Sequence, residues 1–196
     1  MRGRTRMRGV VVGVVVCGLL AGCTSKEPGP EPSVVVAVSP TAGADLACGV
    51  DRAAIEAVSG YPVDRVTGEL SVQEGVGSGR CEVWTDERDG VLFVVELWPL
   101  SSEKALRVRD LVDGKVGNPA TYTYDPSVAD GAMWNANDVP FENVSGSVLT
   151  YIFWGDTLVK IYFSAVAPLR TPSQDFLAIT EQVATTYGLQ RPGAAG

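Results

Sequence analysis

Catalysis near neutral pH most often calls for a histidine, a reactive thiolate or a pair of working carboxylates. This chain of 196 residues has no histidine. That removes Ser-His-Asp and Cys-His catalysis and most zinc sites. Glu82 and Glu96 fall on one face of a strand pair, which is the placement a glycosidase would use, but Arg80 and Arg109 stand ready to neutralise them. Asp125, Asp130, Asn135, Asn137 and Asp138 are oxygen ligands by type. Their spacing does not match a calcium loop, so they read as a solvated loop. Gly75, Gly77 and Gly79 alternate without the dinucleotide or phosphate-loop spacing, and they precede a strand instead of following one. They read as a flexible loop. No metal and no cofactor is expected. Trp84, Trp98, Trp134 and Trp154 remain, and aromatic residues supply large contact areas at recognition sites.

The cysteines take their meaning from the start of the chain. Arg2, Arg4, Arg6 and Arg8 are followed by Val10 to Leu20, eleven residues without a charge. A bilayer span needs about 17–25 residues, whereas a basic start and an apolar stretch of about 7–15 make a secretory signal. Leu20-Ala21-Gly22-Cys23 then resembles the bacterial lipobox, which implies acylation of the Cys23 thiol and cleavage before it. Cys17 leaves with the signal, so Cys48 and Cys81 form an even pair in an oxidising compartment. A disulfide is the default there. A reactive pair or a metal site would want CxxC spacing or histidine. Cleavage also removes four arginines and no acid, moving the net charge from −7 to −11. Such a surface repels phosphate backbones, so nucleic acid is not expected as a partner. It also suits anionic headgroups poorly, leaving the lipid on Cys23 to make the membrane contact.

Four segments follow from this reading: a signal peptide over 1–22, a Pro-rich flexible tether over 23–46, a globular domain over 47–190 and a disordered tail over 191–196. The tether carries Pro28, Pro30, Pro32 and Pro40 around the apolar "SVVVAVS", which has room for one short edge strand. Its free span would be roughly 25 Å. Three helices are expected in the domain. The first follows an Asp51 N-cap, with Val50 and Ile55 as a hydrophobic staple and Gly60 as the stop. The second is amphipathic, with Ala105, Val108, Leu111 and Val112 on one side and Gly114 at its end. The third opens on a Thr171–Gln174 capping box and buries Phe176, Ile179, Val183 and Tyr187 before Gly188.

Strands alternate with these helices. Arg80–Thr85 and Val91–Pro99 flank "DERDG"; pairing Thr85 with Val91 sets Val83 opposite Phe93, Cys81 opposite Val95, Trp84 opposite Leu92 and Arg80 opposite Glu96. The second face then gathers Trp84, Leu92, Val94 and Trp98, so either a helix covers it or something binds there. Residues 115–145 read as irregular loops with one strand near "ATYTY". "SVLTYIFW" and "TLVKIYFSAV" make a hairpin at Gly155-Asp156, pairing Trp154 with Thr157, Ile152 with Val159 and Val148 with Phe163. The order implies an α+β single domain, an antiparallel β-sheet with about three helices packed on one face.

The lipobox and Pro-rich stalk, "CGVDRAAIEAVSG", "CEVW", "VADGAMWN" and "FWGDTLVKI" together look like the small secreted lipoproteins of actinobacteria grouped as a domain of unknown function. Arginines outnumber lysines 12 to 4, as in a high-G+C genome. The resemblance implies fold and location only. The function expected is a lipid-anchored, non-catalytic binding module on the outer face of the cytoplasmic membrane, meeting an envelope protein or small ligand through Trp84, Trp98 and Trp134. The alternative is an envelope hydrolase using Asp or Glu carboxylates.

Overall fold

A computed structural model of the chain describes residues 35–88, 90–115, 122–135 and 147–190. The signal segment 1–22, Cys23, the first part of the tether, Asn137, Asp138 and the 191–196 tail lie outside the described residues. Among them the fold is α+β. A two-stranded ribbon, β1 (Leu46–Ala47) and β2 (Val50–Asp51), leads into α1 (Arg52–Ser59). Then come β3 (Arg65–Gln73), β4 (Val76–Thr85), β5 (Gly90–Pro99), α2 (Glu103–Val112), β6 (Thr123–Asp125), β7 (Ala132–Trp134), β8 (Val148–Trp154), β9 (Thr157–Phe163) and α3 (Pro172–Tyr187). Strands β3 to β9 form one antiparallel sheet of seven strands in the order β3-β4-β5-β9-β8-β7-β6.

Helix α1 starts after Asp51 and stops at Gly60, whose φ of +78° is the left-handed C-cap that glycine adopts without steric cost. Val50 and Ile55, the two halves of the staple, are both buried. The Asp51 carboxylate does not cap the helix. It accepts hydrogen bonds from Thr41 N at 3.0 Å and Thr41 Oγ1 at 2.8 Å. The Thr171–Gln174 capping box of α3 is likewise not made, since Thr171 makes no side-chain cap hydrogen bond; in the same turn Asp175 is held by Arg170, whose Nε lies at 2.7 Å. Phe176, Ile179 and Val183 are fully buried, and Tyr187 is half-buried. Phe176 stacks on Phe163 of β9 at 5.2 Å between ring centroids.

The helices do not share one face. Helices α1 and α3 cover the side carrying Cys81, Val83, Phe93, Val95, Ile161 and Phe163. Helix α2 covers the other side, where Ala105 and Val108 meet Met133, Phe153 and Leu158. The alternation of the strands explains this: β8 and β9 bury apolar residues on both of their faces, so each face needs a helix. Leu111 and Val112 join the α2 cluster as their spacing requires.

Three further expectations change. The glycines over 75–79 are not a loop. Gly75 turns β3 into β4, and Gly77 and Gly79 lie inside β4. A Cβ at Gly77 would stand 2.7 Å from Leu97 Cδ1 and 2.9 Å from Leu189 Cδ2, so the strand passes where no side chain fits. The β4–β5 hairpin pairs Thr85 with Gly90, and a register shift between Val83 and Trp84 puts Trp84 opposite Val91. Beyond that bulge Val83–Phe93, Cys81–Val95 and Arg80–Glu96 pair as expected. Ala132–Trp134, read as loop, is a strand of the sheet. The β8–β9 hairpin has the expected register throughout, with Trp154 opposite Thr157 and Val148 opposite Phe163.

Cys48 and Cys81 form a disulfide with 5.5 Å between Cα atoms. It ties the β1–β2 turn to β4, the second strand of the large sheet. Residues from 35 to 41, within the stretch expected to be tether, lie against α3. Val36 is buried, and Ala37 O accepts from the Gln182 side chain at 2.7 Å.

Candidate functional site

The sheet does not assemble Trp84, Trp98 and Trp134 into one surface. Trp134 sits in the core under α1 and α3 at 7 % exposure. Trp84 and Trp98 are partly exposed but lie towards opposite ends of the β4–β5 pair. Val91, the partner of Trp84, is seven residues before Trp98, or about 23 Å of strand. Trp84 donates to Thr67 Oγ1 at 3.0 Å under the Arg65 guanidinium. Trp98 packs in the α2 cluster, 6.0 Å from the Tyr151 ring.

Glu82 and Glu96 do share a face, and Arg80 takes both. Its Nε donates to Glu82 and its Nη1 to Glu96, each at 2.6 Å. Register explains the cluster: Arg80, Glu96, Lys160 and Tyr151 are directly opposite one another across β4, β5, β9 and β8. Glu96 is 4 % exposed and also receives Lys160 Nζ at 2.7 Å and Trp98 Nε1 at 3.1 Å. Lys104 of α2 stands 3.8 Å away. Burial pushes the Glu96 carboxyl up, but the Lys160 hydrogen bond and the charges of Lys160, Arg80 and Lys104 outweigh it and hold the group below the ordinary glutamate value. A carboxylate saturated in this way is an anchor for α2 and the sheet, poorly suited to taking or giving a proton. Arg109 is not part of the cluster; it lies over the Phe153 ring.

The described members of the Asp-rich segment are engaged as well. Asp125 accepts from Ser127, Asp130 from Gly155 N and Asn135 from Leu149 N. Among the described residues no three Asp, Glu or Cys gather as a metal site, and no helix is long and apolar enough to cross a membrane.

A different place has room for a ligand. A cavity of about 480 Å³ opens between residues Val38 and Ser39 on one side and the C-terminal half of α3 on the other. Trp154, from the end of β8, lines it together with Glu181, Ala184 and Thr185. The Val38–Ser39 wall is fixed from both ends. Gln182, fully buried, donates to Ala37 O and accepts from Asp51 N at 2.8 Å, and Asp51 in turn holds Thr41. No hydrogen bond or ion pair among the described residues engages the side chains of Ser39, Glu181 or Thr185, and the Trp154 Nε1, buried, has no partner. The cavity therefore offers one carboxylate and two solvent-exposed hydroxyls that no described protein group engages, with an aromatic ring beside them. In the sequence Trp154 stands out only as one of four tryptophans, and nothing there singles out Glu181. The signal that points here is Gln182, a polar residue three positions from Ile179 on the buried stripe of α3.

No family model, no curated protein and no solved structure matches the chain.

Proposed function

We propose that this chain is a lipid-anchored extracytoplasmic binding module of the cell envelope, held by an acyl group on Cys23 and binding a small ligand in the cavity beside α3. The observation that carries the binding reading is the cavity itself: about 480 Å³, with unengaged Ser39, Glu181 and Thr185 around Trp154. That volume lies within the roughly 300–1,000 Å³ of small-molecule sites. The anchoring reading rests on the arginine-rich start, the short apolar run and Leu20-Ala21-Gly22-Cys23. It accords with the resemblance to actinobacterial lipoproteins. Glu82 and Glu96 do not favour the hydrolase alternative, since Arg80 engages both.

Two measurements test the proposal. In a bacterial host the full chain should enter the detergent phase on phase separation, and Cys23→Ala should leave it unprocessed or in the aqueous phase. Mature Cys23→Ala protein that stays with detergent overturns the anchor. For binding, the full chain is incubated with an envelope extract, desalted and examined by native mass spectrometry. Retained small-molecule mass is expected, and Ala184→Phe, which fills the cavity, should retain none. Retention by both proteins, or by neither, counts against the cavity.

A further inference from the structure

We infer that the cavity beside α3 selects a small polyhydroxylated molecule, one or two sugar-sized rings, a step that rests on the cavity being the binding site. Charge narrows the choice first. The side chains that line the cavity include the Glu181 carboxylate and no lysine or arginine among the described residues. In a chain of net charge −7, that setting disfavours phosphates and carboxylates as ligands. Hydrogen-bond type narrows it further. Ser39 and Thr185 hydroxyls each donate and accept, whereas Glu181 as a carboxylate only accepts. A ligand of hydroxyl groups matches all three, because each of its oxygens donates and accepts in turn. An ammonium ligand brings donors alone, so it engages Glu181 but cannot accept from Ser39 or Thr185, which are exposed and keep their water.

The apolar part of the lining fits the same class. Val38, Ala184 and Trp154 give the C–H faces of a sugar ring a surface to lie against. The Trp154 indole Nε1 is buried without an acceptor among the described residues, as is that of Trp134 in the core, so the ring meets the cavity through its carbon face. The wall opposite α3 is backbone-held through Ala37 O and Thr41 N, so the hydroxyl of Ser39 is presented from a fixed position instead of a loose terminus.

The test uses the ¹⁵N-labelled full chain in a zwitterionic detergent and follows the indole Nε1–H signals by NMR. The Trp154 signal is assigned from its loss in Trp154→Phe, or from the local shifts in Thr185→Ala should that variant not fold. The probes are glucose and maltose, 1,4-diaminobutane as an amine, and toluene as an apolar ligand. Saturable movement of the Trp154 signal with glucose or maltose, with Trp84 unmoved, is the expected result. Glu181→Gln should then weaken the sugar at least fivefold. If diaminobutane or toluene moves the Trp154 signal and neither sugar does, the cavity binds ligands but the polyol assignment is overturned. If no probe moves it, the assignment and the cavity reading both fall. Sugar binding left unchanged by Glu181→Gln also overturns the assignment.

Discussion

At the scale of single residues, Glu96 shows how a buried charge is retained. Leaving it without partners would be prohibitive, yet it has Lys160, Arg80 and Trp98 within 3.1 Å. Its partners are partly exposed, so the cluster is worth less than a fully buried pair. Glu96→Gln keeps the shape and removes the charge, and should cost about 1–3 kcal/mol in urea unfolding at neutral pH. The pH dependence has a definite sign. The folded-state pKa lies below the ordinary glutamate value of 4.5, so the native state gains stability from ionised Glu96 above that pH. The gain disappears as the pH falls from there through the depressed folded value. The difference between wild type and Glu96→Gln should therefore narrow below pH 4.5. A difference that stays constant down to acid unfolding would mean that the charge contributes nothing.

At the scale of elements, legibility in the sequence followed how local the determining signal is. The β8–β9 hairpin was readable to the residue because Gly155-Asp156 sits between two apolar strands and fixes their register. Helices α1, α2 and α3 were readable from periodicity and stop signals. Strand β3 was not: "RVTGELSVQ" is mostly exposed, so it lacks the apolar alternation that marks a half-buried strand. Gly77 misled in the same way. Its small size answers a tertiary contact with Leu97 and Leu189, and nothing in its sequence neighbours announces either. Gly77→Ala should cost about 1–3 kcal/mol in thermal unfolding through overpacking. Leu97→Ala in the same chain should relieve part of that cost, so the two losses combined come out smaller than their sum. Simple additivity would show that the crowding at Gly77 has another source. The cavity was equally out of sight, since it joins residues 38–39 to residues 181–185 across the whole chain.

For the whole molecule, the Cys48–Cys81 disulfide closes a 33-residue separation that holds β2, α1, β3 and the first part of β4. In the loop-entropy account such a link contributes roughly 3–4 kcal/mol by restricting the unfolded chain. Dithiothreitol should lower the urea midpoint accordingly, while the folded, unreduced protein should show no free thiol at either position. Thiol labelling of Cys48 or Cys81 without denaturant would count against the link. The Arg170–Asp175 pair, almost fully buried, braces the start of α3 as the disulfide braces the entry to α1.

The sheet also has two unequal ends. Among the described residues, on one side it finishes with β6, three residues long; on the other it finishes with β3, nine residues long and bordered by β4 alone. An outermost strand of that length leaves a row of backbone donors and acceptors turned outward, a template on which a like strand from a neighbouring molecule can dock and start a fibril. Arg65 and Glu69 sit along it, and the acidic balance of the chain repels a second copy before the rows can meet. That repulsion weakens as the pH falls toward the isoelectric point, which is about 4.6 with the four signal arginines and lower without them, and over the same fall Glu96 loses its stabilising charge. Colloidal and conformational resistance to acid thus weaken in the same direction, and the long open margin of β3 is where their loss would become aggregation.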